Sequence, residues 1–406
     1  MAQTVFYPEL DIFCRKHIVL RPGTAAPEFA EYMADMTSLQ ERMFENLLLF
    51  DKLSIKVTGE SVSIPLLINL FGERGFDALI EQEAIEFVLW DQNIMYFVNN
   101  IPGVNVLCAG RYGNPIYTDP EQSIEAGLSR MINAPVGGRR RRLIKKLARL
   151  YRAVPDKLSE SSVEAVNVSL QSGAMEPYGI AKAPWPIDNL GDSQKRIALK
   201  CAEQFAEYEF LIRNNMTSFS DYRYFSPFWA SQERFQVMNR TLSGFSSLST
   251  IEGVPNLRVL FHSIDQPLKN ISMIRQRSNA VRFRTWLEQT AGDSPDIDVV
   301  RSYLDAISGQ RVTNGTTGKK LLKTVALAVI GVGVCSVTAG YAGMAAGAAA
   351  GVGSTLAAVA AEKLAEFATE TGLGLFDNFI LDNIAKGWSP RMFFDDLSKI
   401  TRKNAT

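Results

Sequence analysis

The chain has 406 residues, enough for two or three domains, and its 43 cationic and 43 acidic side chains cancel. Zero net charge excludes bulk attraction to nucleic acid or anionic lipid and leaves room only for a local patch. Four scattered cysteines (Cys14, Cys108, Cys201 and Cys335) form no CxxC pair, so neither a zinc site nor a disulfide framework is indicated.

That cysteine pattern suits a reducing cytosol. The first residues lack the basic and apolar regions of a secretory signal. Between Glu28 and Leu49 the apolar positions Phe29, Met33, Met36, Met43, Leu47 and Leu48 follow helical spacing. Lys52 to Val57 alternates, with Leu53, Ile55 and Val57 on one side, which predicts a half-buried strand. Ser63 is placed to cap the next helix, Pro65 suits its first turn and Gly72 can end it. Phe76, Leu79 and Ile80 make a second short helix. Ala84–Trp90 and Ile94–Val98 read as two strands joined at Asp91-Gln92-Asn93 in a hairpin.

A helix is expected from Gln122 to Ile132, with a break at Pro135-Val136-Gly137-Gly138. Beyond it come Arg139, Arg140, Arg141, Arg142, Lys145, Lys146, Arg149 and Arg152 with no acid among them, while Leu143, Leu147, Leu150 and Tyr151 share one stripe. This is a basic amphipathic helix. Such helices dock on anionic headgroups or phosphate backbones; the plainer reading is a solvated face paired with carboxylates elsewhere. After a loop rich in Pro and Gly from Gln171 to Gly191, a helix runs from Ser193 to Arg213 with Ile197, Cys201, Phe205, Tyr208 and Ile212 as its buried stripe. The aromatic cluster from Phe219 to Phe235, with Arg223 and Arg234 interleaved, reads as core packing more than as a base-stacking platform. Leu257–Phe261 is expected as a buried strand, followed by helices Ile271–Gln289 and Ile297–Ile307 and a polar linker Gln310–Gly318.

The most informative stretch comes next. Thr324 to Ala361 holds 38 consecutive residues without a formal charge, built mostly from Ala, Gly and Val. One straight helix of that length would measure about 57 Å, against a hydrocarbon core of about 30 Å. Two helices with a turn near Ala339–Gly343 fit better. Gly340 lies at the turn, and Gly343, Gly347 and Gly351 line one face of the second helix, where small residues let two backbones approach closely. Lys319, Lys320 and Lys323 precede the run and Glu362, Lys363 and Glu366 follow it, so both flanks can stay on one aqueous side. Ala and Gly gain little from lipid, so an αα-hairpin buried in a folded domain is the competing reading. In architecture the run is similar to the hydrophobic hairpin of pore-forming colicins, a likeness of composition that covers about a tenth of the chain and implies insertion into a membrane.

Motifs for chemistry are wanting. Gly315–Lys320 lacks the first glycine of a phosphate loop, because Thr313 stands there, and Lys320 replaces the Ser or Thr that would hold magnesium. Gly331 and Gly333 lack the third glycine of the dinucleotide pattern. Only His17 and His262 exist, and His262 reads as a structural residue at a strand end, near Asp265. Glu81, Glu83 and Glu86 form no acidic set that a nuclease would need, and Arg275, Arg277, Arg282 and Arg284 read as an ion-paired surface more than as an anion pocket. No catalytic residue, metal ligand or cofactor is expected, which argues against an enzyme.

The expected architecture is α+β: an N-terminal α/β domain (1–134), the basic helix and linker (135–170), a mixed, mostly helical domain (171–309), and an all-α C-terminal domain (310–406) containing the hydrophobic hairpin 321–361. The expected function is that of a membrane-acting effector at the inner face of the cell membrane. Its hairpin would insert, or become exposed, on a signal received by the folded body, as in a bacterial toxin or a phage-defence effector. Membrane lipid is the expected partner, with a protein partner or self-association next and nucleic acid after them. The alternative is a soluble binding or scaffold protein whose hairpin stays buried.

Overall fold

A computed structural model describes residues 4–19, 27–182, 190–218, 220, 257–293 and 388–403, in two compact units, Met1–Met238 and Asn239–Thr406. The first unit begins with β1 (Thr4–Tyr7), α1 (Glu9–His17), α2 (Phe29–Leu49), β2 (Lys52–Val57), α3 (Ser63–Glu81) and β3 (Ile85–Leu89). It continues through β4 (Gln92–Tyr96), β5 (Leu107–Arg111), α4 (Pro115–Thr118), α5 (Pro120–Leu128), α6 (Gly137–Ala148) and β6 (Tyr151–Ala153). It closes with α7 (Leu158–Ser172), α8 (Asp192–Asn214) and β7 (Met216–Ser218).

Five of these strands form one parallel sheet in the order β6-β3-β2-β1-β7. The chain steps outward from β1 to β6 and then returns to the far side of β1 for β7. Right-handed crossovers then place the helices of the outward steps on one face and α7–α8 on the other. The protein is therefore mixed α/β with a parallel, doubly wound sheet. Strand β2 lies between β1 and β3, so helices cover both of its sides. Leu53, Ile55 and Val57 pack on one face, while Ser54 and Lys56 are buried on the other. The sequence expectation of a half-buried strand is corrected here: the polar side of β2 meets α8 instead of water. Register aligns Ser54 with Phe6 and Glu86, and Lys56 with Val88. Phe6, Val88 and Trp90 then join Tyr208, Phe210, Leu211 and Met216 in the core beneath α8.

Other expectations are also revised. The 84–98 region is no hairpin. Strand β3 pairs in parallel with β2 and β6, and β4 pairs antiparallel with β5 across a longer loop. A run buried on both faces, such as Ile85–Leu89, belongs inside a parallel sheet. Ser63 does not cap α3; it is the first helical residue, and its hydroxyl is buried without a partner. Gly72 does break the helix, with φ 69 and ψ 157. The divisions at 134 and 170 do not follow the sheet, because β6 and β7 complete it from farther along the chain. The β4–β5 ribbon has its own core with α7 and α8, built around Leu107, Val166, Leu170, Met175 and Cys201. Lys195 of α8 is fully buried and donates from Nζ to the carbonyls of Phe97 and Val98 at 2.9 and 2.7 Å, fixing the end of that ribbon.

The described part of the second unit comprises α9 (Leu257–Ser263), α10 (Pro267–Gln276), α11 (Ser278–Asp293) and α12 (Arg391–Lys403). Residues 257–263 are helical, not a strand, and Ile271–Gln289 divides into two helices at Arg277. Phe283 of α11 stacks on Phe393 of α12 with centroids 4.3 Å apart, and Asn279 donates to Asp396 at 2.7 Å. Thus α12 closes on α11 through an aromatic core. The expected hairpin 321–361, helix 297–307 and nearly all of the aromatic cluster 219–235 lie outside the described residues.

Candidate functional site

In doubly wound sheets, ligands bind beyond the carboxyl ends of the strands where the strand order reverses. Here that place lies between β1 and β7. Helix α1 starts two residues after β1, and its first residue, Glu9, stands at this edge. Oε1 of Glu9 accepts from the Ser220 hydroxyl at 2.9 Å, while Oε2 is sealed from solvent without a hydrogen-bond partner. Burial pushes the Glu9 carboxyl above the usual carboxylate range, and the charge of Glu207 adds to that shift. Glu207 of α8 meets Lys56 of β2 at 2.5 Å, and the Lys56 ammonium lies 4.4 Å from the centre of the Trp90 ring. Two residues along α1, Asp11 accepts from the backbone N–H and the hydroxyl of Thr58, both at 3.0 Å, and pairs with Arg15. Asp11 thereby anchors the loop after β2.

That loop is held from its other side too. The Ser61 hydroxyl lies 2.6 Å from both the Ser123 hydroxyl and the Tyr151 phenol, and Ser123 donates to the Gly59 carbonyl. Gly59 takes φ +78 there, a left-handed conformation that suits glycine. The carboxyl edge therefore combines a rigid loop, a buried lysine–carboxylate pair and a carboxyl with one unsatisfied oxygen. Protonated Glu9 can donate a hydrogen bond; ionised, it can accept from a hydroxyl, amide or ammonium group. Among the described residues no group of three His, Cys, Asp or Glu is arranged to hold a metal ion.

Glu9 allows a direct test. Its raised value means that the folded state holds the proton more tightly than the unfolded state. The stability this gives is complete below the ordinary glutamate range and is lost as pH rises through the folded value. Glu9→Gln removes the cost of ionisation and keeps an acceptor for Ser220. The variant should match the parent near pH 4 and exceed it by about 1 kcal/mol at pH 7 to 8 in urea unfolding. An offset independent of pH would contradict the assignment.

The expected basic helix is present as α6, and its cations divide into two sets. Arg139 pairs with Glu73 at 2.6 Å, Arg140 with Glu125 at 2.8 Å, and Lys146 with Asp77 at 3.0 Å. Arg141, Arg142, Lys145 and Arg149 are exposed. Arg152 leaves the helix and belongs to β6, where it reaches Asn214 and Glu86. Ile144 and Leu147 carry the buried side of the helix.

The remaining candidates disperse. His17 is tied through Nε2 to Asp35 at 2.8 Å and packs against Phe13 and Tyr32, while His262 sits exposed on α9. Glu86 is buried with Ser54 and Arg152, Glu81 is exposed, and Glu83 takes φ 53 in the turn before β3. Arg275 is buried in α10, and its carbonyl accepts from Arg284 of α11. Gly340, Gly343, Gly347 and Gly351 lie outside the described residues.

Sequence reasoning passed over Glu9, Lys56 and Glu207, since only the strand order brings them together. The chain matches no protein-family model, no curated protein and no solved structure.

Proposed function

We propose that the protein is a membrane-acting effector whose Gly/Ala-rich hairpin, residues 321–361, inserts or is exposed on a signal received by the folded body. The observation that carries this reading is the uncharged run Thr324–Ala361, with Gly343, Gly347 and Gly351 four residues apart and charges on both flanks. Water does not tolerate such a stretch, so it lies in lipid or inside a protein core, and a hairpin shielded at rest and released on demand can do both. Among the described residues no helix is long and apolar enough to cross a membrane, so insertion in this reading belongs to the hairpin. The carboxyl edge around Glu9 and Lys56 is where the signal enters, in keeping with ligand placement in sheets of this winding. Shielding and release require two states within a few kcal/mol of each other.

A bacterial toxin or phage-defence effector at the inner face of the cell membrane would have this layout. The competing reading is a soluble binding or scaffold protein. It is favoured by the weak lipid affinity of residues 339–361, which are mostly Ala and Gly. Dye release from liposomes separates the two. Release by the purified protein that Gly347→Leu abolishes, with α8 and the sheet still folded by circular dichroism, supports insertion. No release under any condition, with Gly347→Leu unfolding the chain, establishes the buried hairpin instead.

A further inference from the structure

The geometry points to α6 and the loop before it as a docking surface for anionic phospholipid headgroups. Arg141, Arg142, Lys145 and Arg149 fall within an arc of about 100° at 3.6 residues per turn. All four are exposed, and no carboxylate pairs with them among the described residues. The paired cations Arg139, Arg140 and Lys146 lie outside this arc. The stripe therefore stands opposite Ile144 and Leu147, on the outward side of the helix.

The charge order of α6 runs against its own stability. The positive end of a helix favours acids, yet α6 has none in its first turn and no side-chain cap. Arg139 to Arg142 crowd that end instead. An anion outside the helix would relieve both defects. Phosphate could belong to lipid or to nucleic acid, and the neighbouring loop discriminates between them. Ile132 is 100% exposed and Val136 79% exposed, both in the segment that joins α5 to α6. Aliphatic side chains beside a cationic stripe match the boundary between headgroups and acyl chains, whereas a phosphate backbone gives them nothing to bury. This inference stands on α6 and does not require the hairpin to insert.

The test is sedimentation of the full-length protein with vesicles of phosphatidylcholine alone or with phosphatidylglycerol added. Binding is expected only to the anionic vesicles, and raising the salt to several times physiological strength should reverse it. Arg141→Gln, Arg142→Gln, Lys145→Gln and Arg149→Gln combined should weaken partitioning by about tenfold or more. A control with Lys157, Lys182, Arg196 and Lys269 changed to Gln loses the same charge and should bind as the parent does. Ile132→Asp with Val136→Asp should also weaken binding.

Equal loss in the control, or oligonucleotide binding that needs the four cations but ignores Ile132 and Val136, would overturn the proposal. Salt-resistant binding that survives the fourfold change would also overturn it while leaving the hairpin reading intact. Salt-reversible binding through α6 without dye release would support docking and count against insertion.

Discussion

Gly127→Ala should destabilise the first unit by about 3 kcal/mol, the upper range for forcing extra volume into a packed site. Gly127 lies in α5, against the backbone of Ser61 in the loop after β2. A Cβ at that position would fall inside the contact radius of the Ser61 carbonyl and lie 3.0 Å from its Cα. The obstacle is backbone, so no side chain can rotate away. Ser61 is itself fixed: its N–H donates to the Ser123 carbonyl at 3.0 Å, and its hydroxyl meets Ser123 and Tyr151. Either α5 or the loop must shift, and the loop also carries the Thr58 contacts to Asp11. Urea unfolding gives the loss, and hydrogen exchange should show it earliest at the amides of 58–62. A change below about 0.5 kcal/mol, the size of an ordinary surface substitution, would mean that the two backbones are not so close.

Lys56→Ala should cost about 3 kcal/mol, because it strips the largely buried Glu207 of its partner under α8. The two side chains are only 11% and 15% exposed, so water compensates little. The Trp90 ring below the ammonium adds a smaller attraction. Glu207→Leu alone should likewise be costly, stranding the lysine. Lys56→Met with Glu207→Leu removes both charges and keeps the volume, so it should recover most of the stability. Chemical denaturation of the two single variants and the double variant reads the coupling directly. A double variant as weak as the sum of the singles would show that the pair carries no coupling.

Periodicity made the long amphipathic elements legible. Helices α2 and α8 fall within a residue or two of their sequence ranges, since each has an apolar face with a polar remainder. Strand β2 was legible as a strand but not as an interior one. Its Lys52, Ser54 and Lys56 imitate a solvated face, and only Glu86 and Glu207 under α8 reveal that this face is covered. Short apolar runs are ambiguous between helix and strand, as Leu257–Phe261 illustrates. Parallel partners such as β3 and β6 are joined by crossovers, so no local signal distinguishes that pairing from a hairpin. The candidate site suffers most from this limit, because Lys56 and Glu207 stand 151 positions apart. In α6 the cations were plain, but their division into paired and unpaired sets depends on Glu73, Asp77 and Glu125 from α3 and α5.

Both outermost strands of the sheet, β6 and β7, are only three residues long. A stranger's backbone arriving at either margin would find too few open amide and carbonyl groups to zip onto, which is one way natural folds discourage runaway stacking of sheets. Among the described residues, copies of this chain are therefore discouraged from joining through the margins of the five-stranded sheet.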